Sequence, residues 1–316
     1  MNIFATALTY TAPSSNYRGE SEENRTIIQK VTQGRFEYAI ISPEAIRNAL
    51  RETLATYGLE CNRTRLDNED QLAVCFKEYP CAEKYADDFF FGYLLAMNAS
   101  DRKKFEEVRG KGYPIKRDSV FRMNLAKALD PYRYDTVFTQ SPLTVKTEGM
   151  PFQNATTSAL LHRETTVTAF QYPFAINLND CKMDDSKNGE QFKNWLLHLL
   201  KAISELNDVS GNHARSYFEM APASIIIRLT NSLVAGYDTY GFKSDGSFPE
   251  LVDGILSGDY PGHEFFIGGM IGKKVLSPET IKDLEGKGMK VFRMASQALD
   301  ELAKSPKVCG KGFLNQ

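Results

Sequence analysis

The chain lacks any Cys-x-x-Cys pair, and its five cysteines, Cys61, Cys75, Cys81, Cys181 and Cys309, are widely spaced and odd in number. That excludes a zinc ribbon and a dithiol redox site and leaves reduced thiols as the reading. Four histidines, His162, His198, His213 and His263, include no i, i+4 pair, so a helical metal site is not indicated. No segment approaches the roughly 20 apolar residues that span a bilayer. The first residues enter a strand with no basic stretch followed by an apolar one, so no secretory signal is expected and the expected location is cytoplasmic. The net charge of −2 lacks the basic excess of a non-specific nucleic-acid binder. The glycine-rich run 268–274 also falls short of a P-loop. Three residues separate Gly268 from Gly272 where that loop needs four, and Lys274 stands where a hydroxyl would meet magnesium. A strand turn is the expectation there, and no cofactor or metal is expected.

What is present is ordinary in bulk and uneven in detail. A chain of 316 residues, 42% hydrophobic and 25% charged, has ample material for a core in one large domain or two modest ones. Residues 101–133 hold ten Lys or Arg against five Asp or Glu, whereas residues 245–264 hold five acids and no Lys or Arg. This polarity suits a subunit that lays one face on nucleic acid and meets copies of itself with others.

The first 57 residues read as a strand (2–11, with Ile3, Ala5 and Ala7 alternating), a polar loop (13–25), further strand (27–31 and 36–41) and a capped helix. Ser42 fits an N-cap, Pro43 the first helical position and Gly58 the residue beyond the end. Ile46, Ala49, Leu50 and Leu54 share one side of that helix, and Arg47 and Arg51 project together at i, i+4. Residues 60–135 read as an inserted, mainly helical region, with helical spacing over 119–129 and a basic turn at 109–114. Residues 136–178 read as a β-excursion whose polar arms, 136–146 and 164–176, flank a turn-rich middle at 149–158. Residues 192–206 form the clearest amphipathic helix, and 225–229 reads as a central strand. A short helix or a turn is expected at 249–255 and helices after Ser277-Pro278 and over 295–304, whereas 289–294 fits strand or helix equally. With no regular βα alternation the fold class is α+β.

Three blocks carry a resemblance: Arg18-Gly19-Glu20 with 28–32 and 41–52; Thr168 through Asn177; and Gly211-Asn212-His213-Ala214-Arg215-Ser216 followed by the strand 224–229. Together they resemble the DevR-type CRISPR-associated family, whose members form the repeated guide-RNA-binding backbone subunit of type I Cascade (type I-B-like). The resemblance implies an RRM-like (ferredoxin-like) palm from 1–59 and 171–316, a helical finger insertion at 60–135 and a protruding β-hairpin thumb at 136–170. It implies copies assembled head-to-tail on crRNA, kinked by each thumb, with target DNA paired to the crRNA and other Cascade subunits as further partners. No membrane is implied.

The RNA-binding set implied is Arg18, Gly19, Arg25, Gln29, Lys30, Ser42, Arg47, Arg51, Met150, Phe152, Gln153, Asn212, His213 and Arg215. Arg18 and Arg25 offer forked donors and Gly19 close backbone approach. Asn212, His213 and Arg215 surround a turn expected to converge with the loop 13–25 on one groove. Met150, Phe152, Phe170 and Tyr172 are the candidates to press against bases. Glu20, Glu22 and Glu23 could be read as a metal-binding carboxylate cluster, but no Asp stands between Pro13 and Lys30, where related type III subunits carry their cleaving aspartate. A solvated acidic loop is the better reading, so no catalytic residue is expected. A metal-dependent endoribonuclease of the same fold and a stand-alone RNA-binding regulator are the alternatives.

Overall fold

The computed structural model describes residues 1–14, 17–22, 25–67, 72–140, 160–181, 184, 187–209 and 219–314. The expectations at Met150, Phe152, Gln153, Asn212, His213 and Arg215 lie outside these residues.

The protein is α+β, built on one mixed sheet of nine strands among the described residues. These are β1 (Asn2–Leu8), β2 (Lys30–Gln33), β3 (Phe36–Ile41), β4 (Phe121–Met123), β5 (Ala126–Ala128), β6 (Phe170–Asn177), β7 (Ser224–Thr230), β8 (Phe265–Gly269) and β9 (Lys290–Phe292). Their spatial order is β9-β8-β7-β1-β6-β5-β3-β2, and β4 pairs with the lower half of β6 beside β5. β1 lies at the middle, antiparallel to β6 (Ile3 opposite Ile176) and to β7 (Ala5 opposite Ile227), and β8 with β9 is the parallel pair.

Period-two alternation sorts each strand between two faces. Ile3, Ala5 and Ala7, Phe170, Tyr172, Phe174 and Ile176, and Ile225 and Ile227 enter one large core. Helices α1 (Pro43–Thr56), α2 (Ala86–Phe91), α4 (Gly189–Ser204) and α7 (Ala295–Lys304) cover that face, while α3 (Ala99–Arg109) contributes the buried Phe105 farther out. On the opposite face Ile226, Phe265 and Ile267 meet α5 (Pro249–Ser257), α6 (Pro278–Gly286) and the segment 237–248 in a second cluster. The stretch 232–242 is wired to the sheet's polar positions. Asn2 donates to Ser232 O (2.7 Å), Thr6 to Thr239 O (3.0 Å), and Phe242 N to the Gln171 side chain (3.2 Å).

The caps behave as expected: Ser42 Oγ accepts from Ala45 N (3.2 Å), Ser277 Oγ from Thr280 N (3.1 Å), and Gly58 takes φ +84°. Three expectations are corrected. Residues 119–129 are the short strands β4 and β5, both paired with β6 and β5 also with β3. The inserted region also carries a hairpin, Arg63–Asp67 with Leu72–Phe76, as well as helices. The second polar arm ends at Glu164, because 170–177 is the buried strand β6; Phe170 and Tyr172, 0% and 1% exposed, are core and do not press on bases. The strand turn expected at 268–274 is present: the run ends β8 and enters a π-helical turn, Ile271–Val275. Gly268 is needed where Met294 O and Ala298 of α7 press on the strand.

Candidate nucleic-acid interface

The expected site residues separate into two places. At the first, the strand Tyr17–Glu22, which carries Arg18 and Gly19, pairs with Arg25–Ile28, and both join a four-stranded sheet with Leu160–Glu164 and Thr136–Gln140. The loop 13–25 thus builds its ladder on the base of the 136–164 hairpin, with Arg25 opposite His162. Gln29 follows directly, and its carbonyl accepts from Ile40 N (2.9 Å). Lys30 closes the group: its ammonium stands 3.8 Å from Glu164, 3.9 Å from Glu37 and 4.2 Å from the centre of the Tyr132 ring. Glu164 is buried and accepts from Ile28 N (2.9 Å), so one carboxylate ties the hairpin base to both the strand and Lys30. Ala223 N donates to Leu8 O (2.7 Å), which brings the chain leaving 210–218 to the same sheet end as the start of the 13–25 loop.

The second place is α1. Ser42 spends its hydroxyl on the cap. Arg47 is half-buried beside Glu44 (3.6 Å), and its Nε is buried without a hydrogen-bond partner. Arg51 is 6% exposed and is drawn inward. It bonds Asn48, stacks over Phe91 (4.9 Å) and stands 3.5 Å from Asp87. Burial first, and then the nearby Arg63, lowers its pKa from 12.5 to about 10, so it stays cationic at neutral pH. The i, i+4 spacing places both arginines on neighbouring turns. Only the inserted region, by supplying Asp87 and Phe91, makes Arg51 an internal residue.

Sequence reasoning missed Arg63 and Lys77. With Asn48, Arg51 and Ala55 of α1 they line a cavity of about 240 Å³ between α1 and the hairpin 63–76. The signal was present: alternation at Arg63 and Arg65, then a polar stretch at 67–71, marks a hairpin with a cationic face. Among the described residues no cluster of three His, Cys, Asp or Glu could hold a metal ion. No helix there is long and apolar enough to cross a membrane.

The chain is 26% identical over 287 residues to the "CRISPR-associated protein Cas7/Cst2/DevR" of Myxococcus xanthus (strain DK1622), covering 86% of this chain and 87% of that protein. The chain is a homologue of Cas7/Cst2/DevR. No protein-family model matches it. Its fold is that of a chain in a solved "CRISPR RNA-guided surveillance complex, pre-nicking", with a TM-score of 0.61 at 12% identity over 96% of this chain and 100% of that one. A chain of a second "CRISPR RNA-guided surveillance complex" matches with a TM-score of 0.56 at 13% identity, over 96% and 99% of the two chains. At 96% coverage the likeness of fold takes in the inserted region as well as the central sheet.

Proposed function

We propose that the protein is a guide-RNA-binding backbone subunit of a type I CRISPR surveillance complex, with no catalytic activity of its own. The observation that carries the reading is the relation to Cas7/Cst2/DevR along 86% of the chain, in a fold found in RNA-guided complexes. A ferredoxin-like palm is supported by the order β7-β1-β6-β5 with α1 and α4 on one face, the arrangement of a split βαβ unit. In a stand-alone RRM the open sheet face stacks bases. Here the segment 231–248 crosses that face at Asn2, Thr6 and Gln171, so guide contacts fall to the loops and the hairpin. A thumb is supported by the antiparallel pairing of 136–140 with 160–164, the two segments that flank residues 141–159 in the sequence.

On this reading copies repeat head-to-tail along the crRNA, a heterologous arrangement that grows as a filament. Base pairing reads the target DNA strand, and the protein recognises backbone and shape. Other Cascade subunits cap the assembly, which works in the cytoplasm. A net charge of −2 is compatible with this if cations gather at the groove.

The test is size and content. Purified protein should carry RNA and elute far above 35.6 kDa, and an RNA-free monomer that gains no mass on added crRNA overturns the proposal. Deleting 146–158 should leave a folded monomer that no longer assembles; outright unfolding would make that segment core. Arg47→Ala should reduce RNA retention and flatten its salt dependence.

A further inference from the structure

We infer that the cavity between α1 and the hairpin 63–76 is an anion site for one phosphoryl group, and that Asp87 is the positioning residue that assembles it. The guide-binding reading is needed only for the source of that phosphate.

Three cations from separate segments converge on this space: Arg51 from α1, Arg63 from the first hairpin strand and Lys77 just after the second. Arg51 is 94% buried by its 6% exposure, and its Nε has no hydrogen-bond partner, although the group lines an open cavity. Arg63 lies close enough to Arg51 to oppose its charge. Like charges facing one another cost free energy unless an anion lies between them. Among the lining residues three cations face one carboxylate, Glu52, while Asp87 and Asp88 sit behind them and accept from backbone N–H groups. A phosphodiester brings one negative charge to that lining.

The donors are available. Arg63 spends one terminal nitrogen on Gly92 O (2.6 Å) and Lys77 one proton on Cys61 O (2.9 Å), which leaves further N–H groups on each. Burial pushes the Cys61 thiol up to about 12, so the wall gains no negative charge from it. Paired guanidinium forks match phosphate oxygens better than they match a single carboxylate oxygen.

Asp87 makes the arrangement possible. Its Oδ1 accepts from Asn62 N (2.8 Å) and its Oδ2 from Arg63 N (3.0 Å), while Oδ2 also stands 3.5 Å from Arg51 Nε. One buried carboxylate therefore sets the hairpin's first residues and the α1 guanidinium in register. Its effect on polyanion binding has an unusual sign. Removing a negative charge near a phosphate site would by Coulomb's law strengthen binding, whereas a positioning role means that D87N weakens it.

The experiment measures RNA affinity against salt for the intact protein, the double variant R63Q/K77Q and D87N, with circular dichroism checking the fold. Inorganic phosphate and its effect on the melting temperature form the second arm. Losing one phosphate contact should flatten the slope of log K against log salt by about 0.7 in R63Q/K77Q, and D87N should lose affinity. If D87N fails to fold, the double variant decides the site. Folded R63Q/K77Q with an unchanged slope, while wild type binds RNA, overturns the cavity and leaves the guide reading standing. Wild type that ignores RNA but melts higher in phosphate, with R63Q/K77Q indifferent, upholds the site and overturns the guide reading. Variants that keep the RNA slope but lose assembly mass point to a carboxylate of another copy and overturn the phosphoryl assignment. Indifference of wild type to both ligands overturns it too.

Discussion

Where α4 and α7 lie over the central sheet, the seam is aliphatic: Leu196, Leu199, Leu200 and Ile203 share a core with Leu299, Leu302, Ile3 and Ile227. Where the inserted segment meets α1 and α4, the seam has two layers. Below, Phe89 stacks on Phe192 (4.5 Å) and Phe91 meets Phe121 edge-on (5.9 Å). Above, Asp87, Asp88, Asn62 and Arg51 are all buried and bound to one another or to backbone N–H groups. Burial of aliphatic surface needs no partner geometry and holds in any ionic condition. A buried ionic layer adds little net stability because desolvation offsets attraction, yet losing one partner leaves a stranded charge. The sheet's seam thus serves stability, whereas the junction fixes how the inserted segment sits on α1.

Asp87→Ala should break the junction hardest, at about 3–5 kcal/mol, since Arg51 would be left buried beside Arg63. Urea titration reads this, and a loss under about 1 kcal/mol would mean the junction is solvated. Leu196→Ala in the aliphatic seam should cost about 3 kcal/mol. Its cost should not change between pH 5 and 8, and a marked pH dependence would erase the contrast between the two seams.

Asp88 sharpens the comparison through its titration. Burial raises its carboxyl from 3.8 to about 6, and its Oδ1 has no partner while Oδ2 accepts from Asn62 and Cys81 N (both 2.9 Å). The folded state holds that proton more tightly than the unfolded chain does, so this group withdraws stability as pH rises from about 4 to 6 and is level above that. Asp88→Asn lacks the ionisation. The wild-type-minus-variant stability gap should therefore fall by an amount on the order of 2 kcal/mol across that window and stay flat from pH 7 to 8. A gap that moves mainly above pH 7 would refute the assignment. The smallest effect belongs to Ser42→Ala, which removes the α1 cap and should cost about 1 kcal/mol by thermal melting. A loss several times larger would give Ser42 a role beyond capping.

Local chemistry was legible where it was self-sufficient. Ser42-Pro43 and Ser277-Pro278 opened helices because the cap satisfies its own N–H groups, and 192–206 declared α4 by its apolar stripe. The arm beginning at Thr136 is a strand over Thr136–Gln140, paired antiparallel with Leu160–Glu164. Residues 119–129 misled because Val120, Met123 and Ala128 fit a helical period by chance, and only β6, some fifty residues on, makes strands of them. Phe170 and Tyr172 looked like exposed aromatics on an arm until β1 and β5 enclosed their strand. In the candidate site, Arg47 and Arg51 were found by spacing, but Arg63 and Lys77 belong to it only through the hairpin's fold onto α1.

By itself the sequence determined the α+β class, the caps, the amphipathic helices, the excess of cations over acids in 101–133 and the blocks that resemble a backbone subunit. These follow from interactions within a few residues of one another. The tertiary structure alone decided that β1 lies at the middle of the sheet, that the 13–25 ladder joins the hairpin base, and that Arg51 is buried behind Asp87. Each of those depends on partners far away in the chain. The free energy of such contacts exists only once distant segments have met, so no local period or motif can announce them.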